Sequence, residues 1–518
     1  MDRKTLINNI PDGDQRWDVI VIGGGATGLG TALDSTLRGY KTLLLEQSDF
    51  AKGTSSRSTK LVHGGVRYLA QGDILLVKEA LRERGLMLKN APHLTEDQEF
   101  VIPVYTFRDV ILYTTGLKFY DLLAGRLSLG KSYFIDKKKV LARLPLLKGE
   151  GLKGGIVYHD GQFDDSRMAI ALAKACVENG ATVLNYFRVR DLTKDKAGKI
   201  NGVIAKDLDS GKEYSVRSRL VINATGVFAD IILKMDDPGS RPTIRPSQGV
   251  HIVLDSSFLR SRSAIMIPRT DDGRVLFAIP WYGKVVVGTT DTPLGTIALE
   301  PKALEEEIGF ILRNAGKYLS RPPRREDVLS IFAGLRPLAA DPDNPEATKE
   351  ISRRHKITLS RSGLLSVTGG KWTSYRRMAE ETLNRSIRAG ILPSRKCITG
   401  NFSLYPGAKY PERSRLMIYG NHAYEIVDLI KNDPSLGETI HAELPYTRAE
   451  IVWICRNEMP LTIEDILARR TRALFLDVRA SLAAAPEVAS IMAGELGFGK
   501  EWETRQLESY SKLTTNYL

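Results

Sequence analysis

The chain has few cysteines and no long apolar run, and each of these absences excludes a class of protein. Its three cysteines, Cys176, Cys397 and Cys455, are far apart and form no CxxC pair. Neither a disulfide framework nor a structural zinc site is therefore expected, and a reducing compartment fits. No stretch approaches the roughly eighteen consecutive apolar residues that a membrane-spanning helix needs. The polar start, MDRKTLINNIPDGDQRWD, also lacks the apolar core of a signal peptide.

The composition is that of a soluble globular protein, with 42% hydrophobic and 26% charged residues. At 518 residues the chain is too long for one average domain, so two or three domains are expected. The 74 basic residues exceed the 61 acidic ones and give a net charge of +13. An anionic substrate, an anionic membrane surface and nucleic acid all fit this excess, and composition alone does not choose between them.

Residues 17–46 predict a strand, a helix and a second strand. The β-rich run at 17–22 ends in three glycines, and a helical pattern from about Thr27 to Arg38 stops at Gly39. A second apolar run, at 41–45, ends in an acid. Apolar runs this continuous are typical of a parallel sheet that is buried on both faces, so the segment predicts one βαβ unit.

The turn between the first strand and the helix carries a dinucleotide-binding fingerprint. Gly23, Gly25 and Gly28 have the spacing that allows a tight turn, close approach to a pyrophosphate, and close helix–strand packing. Glu46, at the end of the second strand, can accept hydrogen bonds from a ribose hydroxyl. The motif predicts a bound dinucleotide but leaves FAD and NAD open.

Three later segments favour FAD. A hydroxyl cluster, TSSRS at 54–58, follows the second strand, and the strand-ending segments NATG (223–226) and TGGK (368–371) place small residues where a cofactor approaches. An NAD-binding domain usually keeps its contacts within one contiguous half of the chain. Contacts that spread from Gly23 to Lys371 suit a long, enclosed cofactor such as FAD.

The chain resembles the FAD-dependent glycerol-3-phosphate dehydrogenases in six segments that occur in the same order. These segments are IGGGATGLGTALDSTLRGYKTLLLEQSDFAKGTSSRSTKLVHGGVRYL, SQGVHIVL, VVVGTTDTP, FAGLRPL, LLSVTGGKWTSYRRMAE and TIEDILARRTRALFLD. The resemblance runs from about residue 17 to about residue 480. It implies oxidation of sn-glycerol 3-phosphate to dihydroxyacetone phosphate, with reduction of FAD and delivery of the electrons to a membrane quinone.

Mitochondrial members of this family carry a calcium-binding EF-hand extension, which we do not find here. Asp341 and Asp343 begin a similar pattern, but Glu346 stands at the required glycine and Ser352 at the closing glutamate. The chain is therefore more similar to the bacterial type, and no metal site is expected.

The resemblance implies an α/β fold with three domains. The first is an FAD-binding Rossmann-like domain of the glutathione-reductase/D-amino-acid-oxidase type, built from residues 17–75, 150–240 and 336–395. An inserted substrate domain with an antiparallel sheet takes 76–149 and 241–335. A helical C-terminal domain takes 400–518.

The resemblance also assigns residues to the cofactor. We expect the following to contact FAD: Gly23, Gly25, Ala26, Thr27, Gly28, Glu46, Thr54, Ser55, Ser58, Lys60, Leu61, His63, Gly64, Gly65, Val189, Ala224, Thr225, Gly226, Gly370, Lys371, Trp372 and Thr373.

A phosphate-bearing alcohol requires fixed cations. Arg67, Arg336 and Lys371 lie in family-like segments and are expected to bind the substrate, because arginine suits bidentate phosphate binding and lysine adds a point charge. Tyr68 either adds a hydroxyl contact or packs. Arg336 and Lys371 are also expected to act in catalysis, Lys371 by stabilising negative charge on the reduced flavin or the developing carbonyl oxygen.

Removal of the hydroxyl proton requires a group with a pKa near neutrality, and histidine is the usual choice. His251, in GVHIVL, matches a substrate-contacting position of the family, and we expect it to act as the base or as a hydrogen-bond partner of the substrate. His63 is the alternative, and Arg336 could assist.

Residues 103–131 combine aromatic and aliphatic side chains with flanking cations. The pattern fits a helix that lies in the lipid headgroup region and equally fits an amphipathic core helix. The family resemblance favours the first, which predicts a cytoplasmic protein that binds peripherally to the inner face of the cell membrane. A homodimer is possible, and no nucleic-acid-binding module is recognised.

Three rival functions stay open on the sequence. One is an oxidase of the same substrate, which passes electrons to oxygen and makes hydrogen peroxide. Another is a flavin-dependent amine or amino-acid oxidase, against which the three cations argue. The third is a flavin- or membrane-binding protein without turnover.

Overall fold

The computed structural model describes residues 1–10, 16–70, 72–339, 355–404 and 415–518, apart from the side chains of Arg67 and Ala70. The predicted substrate contact of the Arg67 side chain lies outside what the structure describes, as does the EF-hand comparison at 341–352.

The described ranges form twenty strands. They are β1 (Arg16–Ile22), β2 (Thr42–Leu45), β3 (Leu61–Val62), β4 (Thr95–Val104), β5 (Tyr133–Asp136), β6 (Gly154–Phe163), β7 (Thr182–Leu184), β8 (Phe187–Lys194), β9 (Ile200–Asp207), β10 (Glu213–Asn223), β11 (Ile244–Asp255), β12 (Ala264–Ile267), β13 (Leu276–Trp281), β14 (Lys284–Gly288), β15 (Thr292–Pro293), β16 (Val328–Ala339), β17 (Lys356–Leu359), β18 (Leu364–Thr368), β19 (Thr439–His441) and β20 (Leu444–Thr447).

The same ranges form fifteen α-helices. They are α1 (Arg3–Asn8), α2 (Ala26–Leu37), α3 (Val66–Ala70), α4 (Ile74–Asn90), α5 (Phe107–Ala124), α6 (Lys137–Arg143), α7 (Asp165–Glu178), α8 (Ala229–Asp236), α9 (Glu305–Tyr318), α10 (Tyr375–Arg388), α11 (Ala423–Asn432), α12 (Arg448–Asn457), α13 (Ala473–Leu476), α14 (Val478–Leu496) and α15 (Lys500–Thr514).

The first sheet has the strand order β17-β18-β10-β1-β2-β7, and β9 and β8 extend it from β10. The pairs β1–β2, β1–β10, β10–β18 and β2–β7 are parallel. The carboxyl ends of the central strands are level, because Ile22 pairs with Leu45 and Asn223, and Asn223 pairs with Ser366. The glycine turn and the segments after β2, β10 and β18 therefore meet at one edge, as ligand sites do in open α/β sheets.

Helix α2 follows the glycine turn and is almost wholly buried, because it packs against both α7 and α10. The predicted βαβ unit and its burial on both faces are confirmed.

The second sheet has the order β15-β11-β14-β13-β12-β4-β6-β3, with β16 paired to β11 and β5 to β6. All of its pairs are antiparallel except β12–β4. The predicted domain limits stay a prediction, and the following pairs of this sheet lie on or across them. Strands β3 and β6, which we expected in the FAD-binding domain, pair with each other here, and β16 runs across the predicted boundary at 335.

Residues 415–518 form a helical domain whose apolar core also includes Val253, Trp281, Val286 and Phe332 of the second sheet. It contains α11–α15, the small β19–β20 hairpin and a π-helical turn at Asp465–Arg470. The predicted helical C-terminal domain is confirmed. No helix among the described residues is both long enough and apolar enough to span a membrane.

Candidate active site

A cavity of about 1400 Å³ is lined by residues of both sheets and by helix α5. The range for pockets that take small ligands is about 300–1,000 Å³. The cavity therefore has room for a large cofactor and a substrate together.

The glycine turn lies at one end of this cavity. Gly23 has φ +110°, and a Cβ on Gly28 would lie 1.8 Å from the carbonyl oxygen of Gly23. Neither position tolerates a larger residue, since the first needs a left-handed backbone and the second is filled by main chain. The N-terminus of α2 follows at Gly25 and supplies oriented N–H groups for an anion.

Glu46 ends β2 beside the turn. Its carboxylate accepts hydrogen bonds from the backbone N–H groups of Gly24 (2.6 Å) and Ser48 (2.9 Å). Burial raises the pKa of the Glu46 carboxyl above its ordinary value. The side chain is thus held in the cavity wall where the motif predicts a ribose contact.

Most of the residues that we assigned to the cofactor line the cavity. They are Gly23, Gly25, Ala26, Thr27, Glu46, Thr54, Ser55, Ser58, Leu61, His63, Gly65, Val189, Ala224, Thr225, Gly226, Gly370, Lys371, Trp372 and Thr373. Their convergence from five separate segments is consistent with a long cofactor.

Three assigned residues do not line the cavity. Gly28 packs against Gly23, as its role in helix–strand packing requires. A Cβ on Gly64 would meet the Tyr120 hydroxyl at 2.6 Å. The lack of a side chain at Gly64 therefore allows α5 to pack closely against this turn. The fully buried amino group of Lys60 donates hydrogen bonds elsewhere, as described below.

Arg336 and Lys371 both line the cavity. The Arg336 guanidinium donates hydrogen bonds to the hydroxyl of Thr289 (3.0 Å) and the carbonyl oxygen of Thr290 (3.0 Å), and lies 3.3 Å from the carboxylate of Asp291. The Lys371 ammonium lies 3.8 Å from the ring centroid of Tyr68. Two cations are therefore held in fixed positions, and Tyr68 packs against one of them.

His251 lines the cavity from β11 and is buried. Its Nε2 lies 2.9 Å from the hydroxyl of Thr59, and its ring stacks on Phe332 with the centroids 4.7 Å apart. Burial, with smaller contributions from the charges of Lys60 and Arg336, holds the pKa of His251 well below its ordinary value. The imidazole is therefore neutral at pH 7, and the same burial makes its unprotonated ring nitrogen a weaker base.

Sequence reasoning missed two hydroxyl residues that contact the predicted base and one of the predicted substrate-binding cations. Thr59 contacts His251, and Thr289 contacts Arg336. Both occur in segments that resemble the family, but nothing in their local pattern shows which side chain each hydroxyl meets. His63 also lines the cavity, where its backbone N–H donates to the hydroxyl of Thr373 (3.3 Å).

The described residues fit FAD. The glycine turn and the α2 N-terminus suit a pyrophosphate, the hydroxyls of Thr54 and Ser55 lie beside them, and the remaining volume accommodates a flavin ring. The Ser55 hydroxyl accepts a hydrogen bond from the backbone N–H of Ala26 (2.9 Å), so this loop is fixed to the helix that would hold the phosphates.

Comparison with known proteins agrees with this geometry. A family model described as FAD dependent oxidoreductase matches residues 18–376, and one described as the C-terminal domain of alpha-glycerophosphate oxidase matches residues 368–503. A probable mitochondrial glycerol-3-phosphate dehydrogenase of Caenorhabditis elegans is 40% identical, over 98% of this chain and 74% of its own length. The mitochondrial glycerol-3-phosphate dehydrogenase of Schizosaccharomyces pombe is 38% identical, over 100% of this chain and 89% of its own length.

A solved structure of the glycerol-3-phosphate dehydrogenase from Bacillus halodurans, complexed with FAD, superposes with a TM-score of 0.77 at 30% identity. The match covers 99% of this chain and 97% of that one. The chain belongs to the FAD-dependent glycerol-3-phosphate dehydrogenase family. The predicted FAD-binding α/β fold and the predicted cofactor are thereby confirmed. Glycine oxidase from Geobacillus kaustophilus, with a TM-score of 0.56 at 18% identity, shares the fold alone.

We expect Gly28→Ala to abolish FAD binding by the dehydrogenase. The new methyl group would overlap the Gly23 carbonyl oxygen and force the turn away from α2. Purified variant protein should lack flavin absorbance and should not regain it when FAD is added. Gly494→Ala is the matched control, because this helical glycine of α14 has no atom within 4 Å of an added Cβ. It should bind FAD normally, and retention of FAD by Gly28→Ala would contradict the packing argument.

Proposed function

We propose that this dehydrogenase oxidises sn-glycerol 3-phosphate at C2 to dihydroxyacetone phosphate and passes the electrons from FAD to a membrane quinone. The observation that carries the proposal is that Arg336, Lys371 and the neutral His251 share one cavity with the glycine turn. This set offers two cations for a phosphate dianion and a proton acceptor for an alcohol. The relatives named glycerol-3-phosphate dehydrogenase support the choice of substrate.

In the proposed reaction, the substrate phosphate binds to Arg336 and Lys371, with Arg67 as a further predicted contact. His251 accepts the proton of the C2 hydroxyl, and the C2 hydrogen leaves as a hydride, so that the C2–O bond becomes a carbonyl. FAD supplies the two-electron acceptor for that hydride. Lys371 is placed by the proposal near the developing negative charge, which a fixed cation stabilises.

The reaction can be tested without oxygen. Purified holoenzyme is mixed anaerobically with sn-glycerol 3-phosphate while the flavin absorbance is followed, and then a soluble quinone or air is admitted. Bleaching that quinone reverses quickly and air slowly supports the proposal. Fast reoxidation by air with formation of peroxide would instead identify an oxidase. No bleaching would remove glycerol 3-phosphate as the substrate.

Helix α5 supports delivery of electrons at a membrane surface. Its exposed side includes Phe107 and Leu122, at 75% and 73% exposure, and also Ile111 and Leu112. Ile111 and Leu112 also line the cavity, so the same helix connects the exposed apolar surface with the active site. The flanking cations suit anionic headgroups. We therefore place the protein on the inner face of the cell membrane, bound peripherally through α5.

We expect the double substitution Phe107→Glu/Leu122→Glu to weaken binding to vesicles of phosphatidylglycerol and phosphatidylcholine by at least about tenfold, because two apolar anchors are replaced by anions. Flavin reduction by glycerol 3-phosphate should be unchanged, since neither residue lines the cavity. Leu482→Glu, on the exposed surface of α14, is the control and should bind vesicles normally. Equal sedimentation of all three proteins with vesicles would exclude α5 as the contact.

A further inference from the structure

The C-terminal domain contacts the cavity wall just after β2 through ion pairs. Asp49, which is fully buried, accepts hydrogen bonds from both Arg469 and Arg470. Lys52, which lines the cavity, donates to Glu464 at 2.6 Å. The domain is therefore joined to the part of the chain that surrounds the cofactor site.

A third contact joins the C-terminal domain to the loop at 54–60. Arg472 is buried, and its guanidinium donates to the carbonyl oxygen of Ser56 (2.9 Å) and to Asp165 (3.1 Å). Its guanidinium carbon lies 4.4 Å from the ring centroid of Phe475. The backbone of Arg472 has φ +68°, a conformation that residues with a side chain rarely adopt. The surrounding contacts must therefore hold it there.

The acceptors of Arg472 organise the loop at 54–60. Asp165 also accepts hydrogen bonds from the backbone N–H of Ser58 (3.0 Å), the Ser58 hydroxyl (2.7 Å) and the Lys60 ammonium (2.7 Å). The Lys60 ammonium donates in addition to the Ser56 carbonyl oxygen (2.7 Å). Two basic side chains, one from the loop and one from the C-terminal domain, thus share the same pair of buried acceptors.

Residue 59, between the two tethered positions, contacts the proposed base. The Thr59 hydroxyl is the one hydrogen-bond partner of the His251 ring within the described part of the chain. The stacking on Phe332 fixes the plane of the ring, and the Thr59 hydroxyl is the polar contact that fixes the position of Nε2 in that plane.

We propose that Arg472 is a positioning residue for the reaction, since it holds the loop at 54–60 so that Thr59 keeps the His251 imidazole oriented toward the substrate. The C-terminal domain then acts on the active site through this loop. This inference rests on the proposed function of His251, and its test separates the two.

The test compares Arg472→Met, Thr59→Val and the double variant as FAD-loaded proteins. We expect each single variant to lower the limiting rate of anaerobic flavin reduction by at least about tenfold, with the dissociation constant of glycerol 3-phosphate within about twofold of the unaltered enzyme. The double variant should be no more than about twofold slower than the slower single variant, because both changes disrupt the same series of contacts, from Arg472 through the loop and Thr59 to His251. Thr59→Ser, which keeps the hydroxyl, should restore the rate.

Two matched controls report general effects of such substitutions. Arg456→Met removes an exposed pair with Glu495 in the same domain, and Thr514→Val removes a buried helical hydroxyl in α15. Both should reduce flavin at the unaltered rate. If Arg472→Met does not retain FAD, Arg472→Gln replaces it, because glutamine keeps a polar side chain but removes the positive charge and the guanidinium nitrogen that donates to both Ser56 and Asp165.

Hydrogen exchange gives a readout that is independent of turnover. In FAD-loaded Arg472→Met, exchange of the backbone amides at 54–60 should rise at least about tenfold. Unchanged exchange, a wild-type reduction rate in either single variant, or fully multiplicative losses in the double variant would overturn the positioning role. Failure of the unaltered enzyme to be reduced by glycerol 3-phosphate would instead overturn the proposed function, while the exchange result would still decide whether Arg472 holds the loop.

Discussion

We expect His251→Asn to lower the limiting rate of flavin reduction by about 100- to 10,000-fold, the contribution typical of a positioned acid–base group. The variant should retain FAD, because His251 lies on β11 in the second sheet, whereas the glycine turn belongs to the first sheet. The dissociation constant of glycerol 3-phosphate should change little, since Arg336 and Lys371 remain. Stopped-flow reduction under anaerobic conditions at a series of substrate concentrations separates the two quantities.

His63→Asn is the necessary comparison, because His63 lines the same cavity and is the rival base. A loss of rate that is larger in His63→Asn than in His251→Asn would transfer the role to His63. Loss of FAD from His63→Asn alone would fit the contact with the cofactor that we assigned to it.

Arg336→Ala should raise the KM for glycerol 3-phosphate by about 10- to 100-fold, because hydrogen bonds to charged groups contribute about 1.5–3 kcal/mol each. FAD should remain bound. The KM of Arg336→Lys should fall between those of the unaltered enzyme and Arg336→Ala, since lysine keeps the point charge but not the bidentate geometry. Steady-state assays with quinone as acceptor measure the KM of each variant. An unchanged KM in Arg336→Ala would remove this residue from phosphate binding.

A thermal unfolding measurement must accompany the Arg336 variants. The guanidinium also bridges Thr289 and the Thr290 carbonyl oxygen, so its loss affects the wall of the cavity as well as its charge. A raised KM in a protein with an unchanged unfolding temperature assigns the effect to binding.

The cofactor half of the site could be predicted from the sequence because its signals are local. Gly23, Gly25 and Gly28 lie within one turn, and Glu46 follows at the end of the next strand. Two continuous apolar runs with a helical pattern between them then predict a pair of parallel strands, one on each side of the helix. Three of the segments that meet at the edge of the sheet end in glycine-containing turns that are visible without a structure.

The environment of the substrate half of the site depends on contacts between residues that are distant in sequence. Lys60 pairs with Asp165, 105 residues away, and Thr59 with His251, 192 residues away. Burial lowers the pKa of Lys60 to about 7, even though Asp165 opposes the shift. A lysine in a glycine-rich family motif is read naturally as a cofactor contact, and only the fold shows that its side chain turns into the protein interior.

The pairing of strands also depends on contacts between residues that are distant in sequence. Strand β6 pairs with β4, whose residues lie about sixty positions earlier in the chain. Residue patterns specify strands more strongly than they specify strand partners. The domain limits inside the chain therefore stay a prediction, while the fold class is confirmed.

The order of strands in the first sheet has a consequence for synthesis of the protein on the ribosome. Strand β1 is the first to be made, yet the edge that holds the cofactor is complete only when β18 has been translated. At about 5–20 residues per second, the stretch from Gly23 to Lys371 takes roughly 20–70 seconds to emerge. During that interval the apolar strands at the beginning of the chain lack their final neighbours, so nascent chains should depend on chaperones and should acquire FAD only late in translation.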